Sequence, residues 1–353
     1  MRPQRRCISY SSVPMHASAT NAEVGSESFL DRSVASALSH STQLFQSHNV
    51  PEPEWSAVHL LSVALDMDWS TGYRQLLAVM DSPASEANLS ERQLTSEEAS
   101  TYATMVKRRL QCEPLQYIVG RWDFCDLTLK VRAPCLCPRP ETEELVDHAA
   151  LEVERLLAVR KDSNTVVRIL DVGAGTGAIG LALAKRFGPS VDVTAIDIDE
   201  TAVALSNENA EDILGPLGIA GKYRALLYGA SDFTRGNVEH DFNFDVVVSN
   251  PPYIPRADMS TLSSDVVEFE SDHALCGGED GLDIVRNIVE RLPEWSSDDG
   301  CVCWMEVDTS HPIMVGKWLN GEEDRSSESV QFVQGAKDLC GRDRFVKLCI
   351  SSN

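Results

Sequence analysis

Apolar positions change their period twice along this chain. Over residues 26–115 they recur at helical spacing, and Phe29, Leu30, Val34, Ala37, Leu38, Leu44 and Phe45 predict a first helix. Pro51-Glu52-Pro53 interrupts the pattern. Pro53 suits the first position of a second helix, whose face carries Trp55, Val58, Leu61, Ala64 and Leu65. Tyr73 to Met80 predicts another short helix, and Asp81 to Ser90 a polar loop. Thr95-Ser96-Glu97-Glu98 has capping-box spacing and opens a helix through Arg109 that ends before Glu113-Pro114. From Leu115 to Pro138 the chain reads as extended: Tyr117, Val119, Trp122, Phe124, Leu127, Leu129 and Val131 predict a β-hairpin linker. In Pro138-Arg139-Pro140-Glu141-Thr142-Glu143-Glu144, Pro140 suits a helix start. The acids there fall in the first turn, where the helix dipole favours them, and an amphipathic helix runs on to about Arg160.

From Val166 onward strands alternate with helices, which predicts a doubly wound parallel sheet, an α/β fold. The strands are Val166–Asp171, Val191–Asp197, Ala225–Tyr228, Phe244–Ser249 and Cys301–Val307. The helices are Ile179–Phe187, Thr201–Asn209 and Leu282–Leu292. Phe332-Val333 and Phe345–Ile350 are expected to close the sheet as an antiparallel pair, and the acidic, Ser-rich stretch Asn320–Ser329 to be an exposed loop. Four regions result: a tail at 1–25, a small helical domain at 26–115, the hairpin linker at 116–137 and the α/β domain at 138–353.

Composition narrows the partners. Lys plus Arg number 31 against 54 Asp plus Glu, a net charge of −23 that repels a phosphate backbone. A nucleic-acid partner is therefore not expected, and a basic protein partner is compatible. No apolar run approaches the ~20 residues of a membrane span. The ten cysteines include no C-x-x-C pair. Cys135/Cys137 and Cys301/Cys303 are too few ligands for a zinc site, so no metal is expected. Cys301-Val302-Cys303-Trp304 reads as core filling and the compartment as reducing. The first twenty residues carry Arg2, Arg5 and Arg6, and the first acid is Glu23. This local inversion predicts a transit peptide, mitochondrial ahead of plastid; the alternative is a basic disordered tail on a cytoplasmic protein.

Two motifs carry candidate chemistry. The first is Asp171-Val172-Gly173-Ala174-Gly175-Thr176-Gly177, between the first strand of the α/β domain and its helix. Its glycines permit a tight turn and close backbone approach to a ligand. Asp197 ends the next strand, where an acid accepts the ribose hydroxyls of an adenosine. Gly175 to Gly180 formally fits the dinucleotide fingerprint G-x-G-x-x-G. The pattern D-x-G-x-G-x-G fits S-adenosylmethionine (SAM) instead: a sulfonium has no pyrophosphate to seat, and a nearby carboxylate suits its charge. Ser231-Asp232-Phe233 is read as a strand end on the same edge, with Asp232 offered to the adenine amine and Phe233 to its ring.

The second motif is Asn250-Pro251-Pro252-Tyr253, directly after an apolar strand. Asn250 offers an acceptor and an NH2 donor. Pro251 and Pro252 fix φ and lack N–H groups, leaving rigid carbonyls, and Tyr253 adds a flat face and a hydroxyl. Such a pocket suits a planar group bearing an NH2, an amide or a base amine alike; read alone, the stretch is equally a Pro-Pro turn. The shared strand edge favours the pocket, because ligands of open α/β sheets bind outside the carboxyl ends of strands.

With both motifs in hand, the sequence resembles the SAM-dependent N5-glutamine methyltransferases of peptide-chain release factors. The likeness covers most of the chain after about residue 50. It includes Glu113-Pro114-Leu115-Gln116-Tyr117-Ile118-Val119-Gly120, Pro138-Arg139-Pro140-Glu141-Thr142-Glu143, Ala274-Leu275-Cys276-Gly277-Gly278-Glu279-Asp280-Gly281-Leu282 and Lys337-Asp338-Leu339-Cys340-Gly341-Arg342-Asp343-Arg344. The resemblance implies a Rossmann-like sheet behind a helical recognition domain, acting as a monomer on the Gly-Gly-Gln loop of a release factor. It implies that Gly173, Ala174, Gly175, Thr176 and Gly177 line the methionine part of SAM, Asp197 holds the ribose, Phe233 lies by the adenine, and Asn250 to Tyr253 hold the glutamine amide. Phe269-Glu270-Ser271 departs from the family's Glu-Pro, and Phe233 stands for a frequent Trp. Rival readings are an amino-methyltransferase of a nucleic-acid base, a non-catalytic SAM-fold binding subunit and, least favoured, an NAD dehydrogenase.

Overall fold

The computed structural model describes residues 28–160, 166–239, 241–322 and 329–351. The expected transit peptide lies outside the described residues, as does most of the expected loop at 320–329. Contacts group the described residues into two units: those up to Arg121 with Leu262–Phe269, and those of Trp122–Thr261 with Glu270 onward.

The first unit is helical: α1 (Val34–Ser47), α2 (Pro53–Ala64), α3 (Gly72–Asp81), α4 (Ala87–Ser90), α5 (Ser96–Leu110) and α6 (Leu115–Val119). Pro53 begins α2, and the Thr95–Glu98 capping box closes reciprocally at the start of α5. Residues 56–62 of α2 are all buried, as befits a helix surrounded by others. Phe29, Phe45, Leu60, Leu61 and Tyr102 fill the core, and the Tyr102 hydroxyl hydrogen-bonds Ser41 and donates to the Ala57 carbonyl. Two expectations fail locally. The polar loop at 81–90 contains α4, and Tyr117 and Val119 are helical rather than extended. Leu115, Tyr117 and Ile118 bury in α6, which ends on Gly120 in the left-handed region. Burial of one face has overridden the alternation. The hairpin is shorter than read, β1 (Arg121–Phe124) and β2 (Leu127–Lys130).

The second unit carries α7 (Thr142–Val159), β3 (Val167–Val172), α8 (Ala178–Phe187), β4 (Val191–Asp197), α9 (Glu200–Leu214), β5 (Tyr223–Leu227) and β6 (Val246–Ser249). After these come α10 (Ser264–Val267, which groups with the first unit), α11 (Asp272–Leu275), α12 (Asp283–Trp295), β7 (Gly300–Glu306), α13 (His311–Lys317), β8 (Val330–Lys337) and β9 (Asp343–Ser351). Among the described residues β3 to β9 form one sheet of seven strands, ordered β5-β4-β3-β6-β7-β9-β8. The first five in that order pair parallel, and β9 pairs antiparallel with both β7 and β8. The expected doubly wound sheet and closing antiparallel pair are thus present.

Strand period sorts the core. Val167, Ile169, Val193 and Val246 face α7, α8 and α9 in one cluster. Leu170, Val172, Ile196 and Val247 face α12 and α13 in the other. The central strands are mainly apolar on both sides because helices cover both faces. The order reverses direction between β3 and β6, which pair with Val172 opposite Ser249. The next residues, Gly173 and Asn250, begin the two candidate motifs side by side at this switch point, where ligands of such sheets bind. Eight described cysteines are free thiols, and Cys301 and Cys303 are buried, as expected of core-filling residues.

Candidate active site

The glycine loop is built from the backbone outward. Gly173, Gly175 and Gly177 all have positive φ (78°, 53° and 84°), a conformation that side chains resist. The Gly173 and Ala174 N–H groups donate to the Ile196 carbonyl at 2.9 and 3.0 Å, pinning the loop to β4. The Gly175 N–H donates to Asp197 Oδ2 at 2.8 Å. A Cβ on Gly177 would come within 2.6 Å of Ser206 Oγ, so helix α8 approaches its neighbours only because this residue lacks one. Asn209 ties the loop to the hairpin, its Nδ2 donating to the carbonyls of Thr176 (2.9 Å) and Lys130 (3.1 Å).

Two carboxylates flank this loop. Asp171 is fully buried; its Oδ2 accepts from the Gly180 N–H at 2.9 Å, and its Oδ1 has no hydrogen-bond partner. Burial pushes its pKa up to about 7, with the charge of Asp197 adding to the effect. Asp197 sits at the end of β4, its oxygens accepting from the N–H groups of Gly175 and Asp199 (3.0 Å). Burial raises its pKa as well, opposed by these backbone hydrogen bonds.

Gly173, Ala174, Gly175, Thr176, Asp197, Asn250 and Pro252 line one cavity. Asp171 and Gly177 are not among its lining residues. Nor are Pro251, Tyr253, Asp232 and Phe233. Strand β5 ends at Leu227, and Ser231-Asp232-Phe233 follows in a turn, not at a strand end. Phe233 is fully buried among Phe242, Phe244 and Trp295, whose indole N–H donates to the Phe233 carbonyl at 2.8 Å. Its ring serves the core, and Asp232 is exposed outside the cavity lining. Ile198, Gly229 and Ala230 form that wall instead. Beside them Tyr228 also lines the cavity, an aromatic that the sequence pattern puts in a strand with no role in the site.

Asn250 is half-buried, and its Nδ2 donates to Thr142 Oγ1 at 3.0 Å. Tyr253 points away from the cavity lining: its hydroxyl contacts Glu306 Oε1 at 3.4 Å and accepts from Arg344 Nη2 at 3.2 Å. The Arg344 guanidinium stacks over its ring, 5.3 Å from the centroid. Burial raises the pKa of Glu306, opposed by the Arg344 charge. The backbone of Pro252 and Tyr253 is clasped by the 277–281 turn. A Cβ on Gly277 would meet the Pro252 carbonyl at 2.6 Å, and one on Gly281 the Tyr253 carbonyl. The Ile254 N–H donates to the Leu275 carbonyl (3.0 Å) and the Gly277 N–H to that of Ile254 (2.9 Å).

The cavity also takes Pro134, Cys135, Arg139, Thr142, Ser271 and His273, none assigned a role from sequence. The Pro138–Glu143 stretch was the available signal. Arg139 Nη2 donates to both oxygens of Glu270 (2.8 and 2.7 Å), whose side chain is 1% exposed. Ser271, in the position where the departure from Glu-Pro occurs, donates its N–H to the Pro134 carbonyl at 3.0 Å, a bond proline cannot make. Its hydroxyl oxygen accepts from the His273 N–H to cap α11. The Glu270 partnership thus survives the departure, and the loop gains a backbone tie.

Residues 146–279 match the family model of the methyltransferase small domain, and residues 36–120 that of the PrmC N-terminal domain. The human MTRF1L release factor glutamine methyltransferase is 33% identical over 312 residues, spanning 88% of this chain and 86% of that protein. The release factor glutamine methyltransferase of Geobacter sulfurreducens is 37% identical over 257 residues, 73% of this chain and 75% of its own. That of Streptococcus pneumoniae is 37% identical over 257 residues, with shares of 72% and 82%. Similarity of this extent, across both the helical and the sheet portions of the sequence, makes the chain a member of the release factor glutamine methyltransferase family and a SAM-dependent methyltransferase.

Proposed function

We propose that this protein methylates the side-chain amide nitrogen of the glutamine in the Gly-Gly-Gln loop of a peptide-chain release factor. The observation that carries the reading is the adjacency of the glycine loop and Asn250 in one cavity at the β3/β6 switch point. The cavity fits SAM on its own terms. Gly173, Gly175 and Gly177 turn through positive φ and leave room for close approach, Asp197 offers carboxylate oxygens for ribose hydroxyls, and the buried Asp171 Oδ1 behind the loop has no hydrogen-bond partner. When bound, SAM supplies an electrophilic methyl group on a sulfonium.

The chain's own contribution is positioning. An amide nitrogen is a poor nucleophile because its lone pair is delocalised, so holding it in line supplies most of the rate gain. The Asn250 side-chain oxygen and the Pro251 carbonyl accept the two N–H groups of the glutamine amide. Pro252 and Tyr253 fix the backbone that presents them. The amide nitrogen gains the methyl group and releases a proton to solvent.

The helical domain at 26–115 is assigned to recognition of the release factor, and the protein acts as a monomer. The basic start of the chain supports a mitochondrial destination. No helix among the described residues is long and apolar enough to cross a membrane. The net charge of −23 disfavours the nucleobase alternative. The test is mass spectrometry of candidate release factors incubated with SAM, with and without this protein. One added methyl on the loop glutamine is expected; methylation of RNA with the release factor unchanged would favour the nucleobase reading. A fluorescent fusion with and without residues 1–25 tests the destination.

A further inference from the structure

Asn250 is held by hydrogen bonds that its own tetrapeptide does not supply. Its Nδ2 donates to Thr142 Oγ1 at 3.0 Å, and the Thr142 hydroxyl donates to Glu306 Oε2 at 2.8 Å. Thr142 opens α7 and is buried; Glu306 ends β7, the strand beside β6, with its side chain 1% exposed. The other carboxylate oxygen, Oε1, faces the Tyr253 hydroxyl at 3.4 Å and lies 3.8 Å from Arg344 Nη2. A guanidinium and two hydroxyls thus converge on Glu306 and favour its carboxylate form against the burial that raises its pKa.

Counting protons fixes the direction of this chain. A threonine hydroxyl has one proton, and a carboxylate only accepts. The Thr142 proton therefore goes to Glu306, leaving Oγ1 only lone pairs to offer Asn250. Only the NH2 end of the Asn250 amide can meet a lone pair, so its carbonyl oxygen is turned the other way. Without this constraint the two ends of the amide are nearly isosteric and can exchange. The exchanged form would present an NH2 to a substrate NH2, donor against donor.

We infer that Thr142 and Glu306 are positioning residues that lock the Asn250 side chain with its oxygen presented to the substrate amide. Tyr253 and Arg344 hold Glu306 as an acceptor. The inference rests on the methyl-transfer reading above, and it gives the Thr of the Pro138–Glu143 stretch a role.

The test uses the full chain, labelled SAM and a release factor, comparing Thr142→Val, Thr142→Ser and Glu306→Gln. Calorimetric SAM affinity is measured alongside. Valine keeps the shape of threonine but offers no acceptor, so kcat should fall by about a hundredfold, the cost of a misaimed reacting group, with SAM affinity unchanged. Thr142→Ser should restore most of the rate. Glu306→Gln can place an NH2 against Thr142 and reverse the relay, so its kcat should also fall while SAM still binds. Wild-type kcat in Thr142→Val overturns the inference, as does a serine variant as slow as the valine variant. Should Thr142→Val lose SAM binding altogether, wild-type kcat in Glu306→Gln overturns it instead. A wild-type chain that binds SAM yet leaves the release factor unmethylated overturns the parent reading, a separate and recognisable result.

Discussion

The backbone N–H of Gly175 donates to Asp197 Oδ2 at 2.8 Å, so one carboxylate joins the glycine loop after β3 to the tip of β4. The same group is assigned to the cofactor ribose. Asp197→Ala should therefore both loosen the loop and remove the ribose acceptor. Hydrogen bonds to charged groups contribute about 1.5–3 kcal/mol each, so the Kd for SAM should rise roughly ten- to hundredfold. Calorimetry measures this directly, and an unchanged Kd would remove Asp197 from the site.

Asn250→Ala should separate binding from chemistry. Its side chain lies in the shared cavity, while the glycine loop is held by Ile196 and Asp197 independently of it. Methyl transfer should drop by at least about a hundredfold with SAM affinity close to wild type. Undiminished transfer would exclude the tetrapeptide from amide positioning.

Asp171 predicts a pH dependence of stability. Burial pushes its folded pKa up to about 7 from an ordinary value of 3.8. A raised pKa means that the folded state holds the proton more tightly than the unfolded one. The associated stability is complete below about pH 4 and is lost as pH rises through about 7, a total of about 4 kcal/mol. Asp171→Asn removes this titration. The melting temperature of wild type, relative to that of the variant, should fall as pH rises from 4 to 8. Parallel profiles would show that Asp171 does not titrate in this range.

Gly277→Ala should damage the site from outside it. The added Cβ would sit 2.6 Å from the Pro252 carbonyl and 2.5 Å from that of Gly281, both backbone atoms that cannot swing aside. Overpacking of this kind costs about 1–3 kcal/mol. The shift falls on the tetrapeptide, so methyl transfer should decline more than SAM binding does. Equal loss of both would place the damage elsewhere.

Glu270→Ala should leave the Arg139 guanidinium without its buried partner. Breaking a buried pair by removing one member costs about 3–5 kcal/mol, and denaturant unfolding should register it. Ser271→Pro, which restores the family's Glu-Pro, removes the N–H bond to Pro134 and should cost about 1 kcal/mol. A stabilised proline variant would show that this backbone tie contributes nothing.

Much of this protein was legible in local pattern. The strand and helix alternation after Val166, the Thr95–Glu98 capping box and the glycine turn each depend on neighbours within a few residues, where periodicity, capping and the freedom of φ are written in the chain itself. The placement of Asp197 at a strand end and of Asn250 just past one followed from the same signals. What only the tertiary structure decided depends on partners distant in sequence. Phe233 looks like a stacking ring but is drawn into the core by Phe242, Phe244 and Trp295, leaving Tyr228, Gly229 and Ala230 at the cavity. Residues 115–119 become a helix because one face is buried. Thr142 meets Asn250 across 108 positions of sequence, and Glu306 meets Thr142 across 164. No spacing rule encodes such contacts. They exist because β6 lies between β3 and β7 in the sheet, and that order is set by packing both faces against helices.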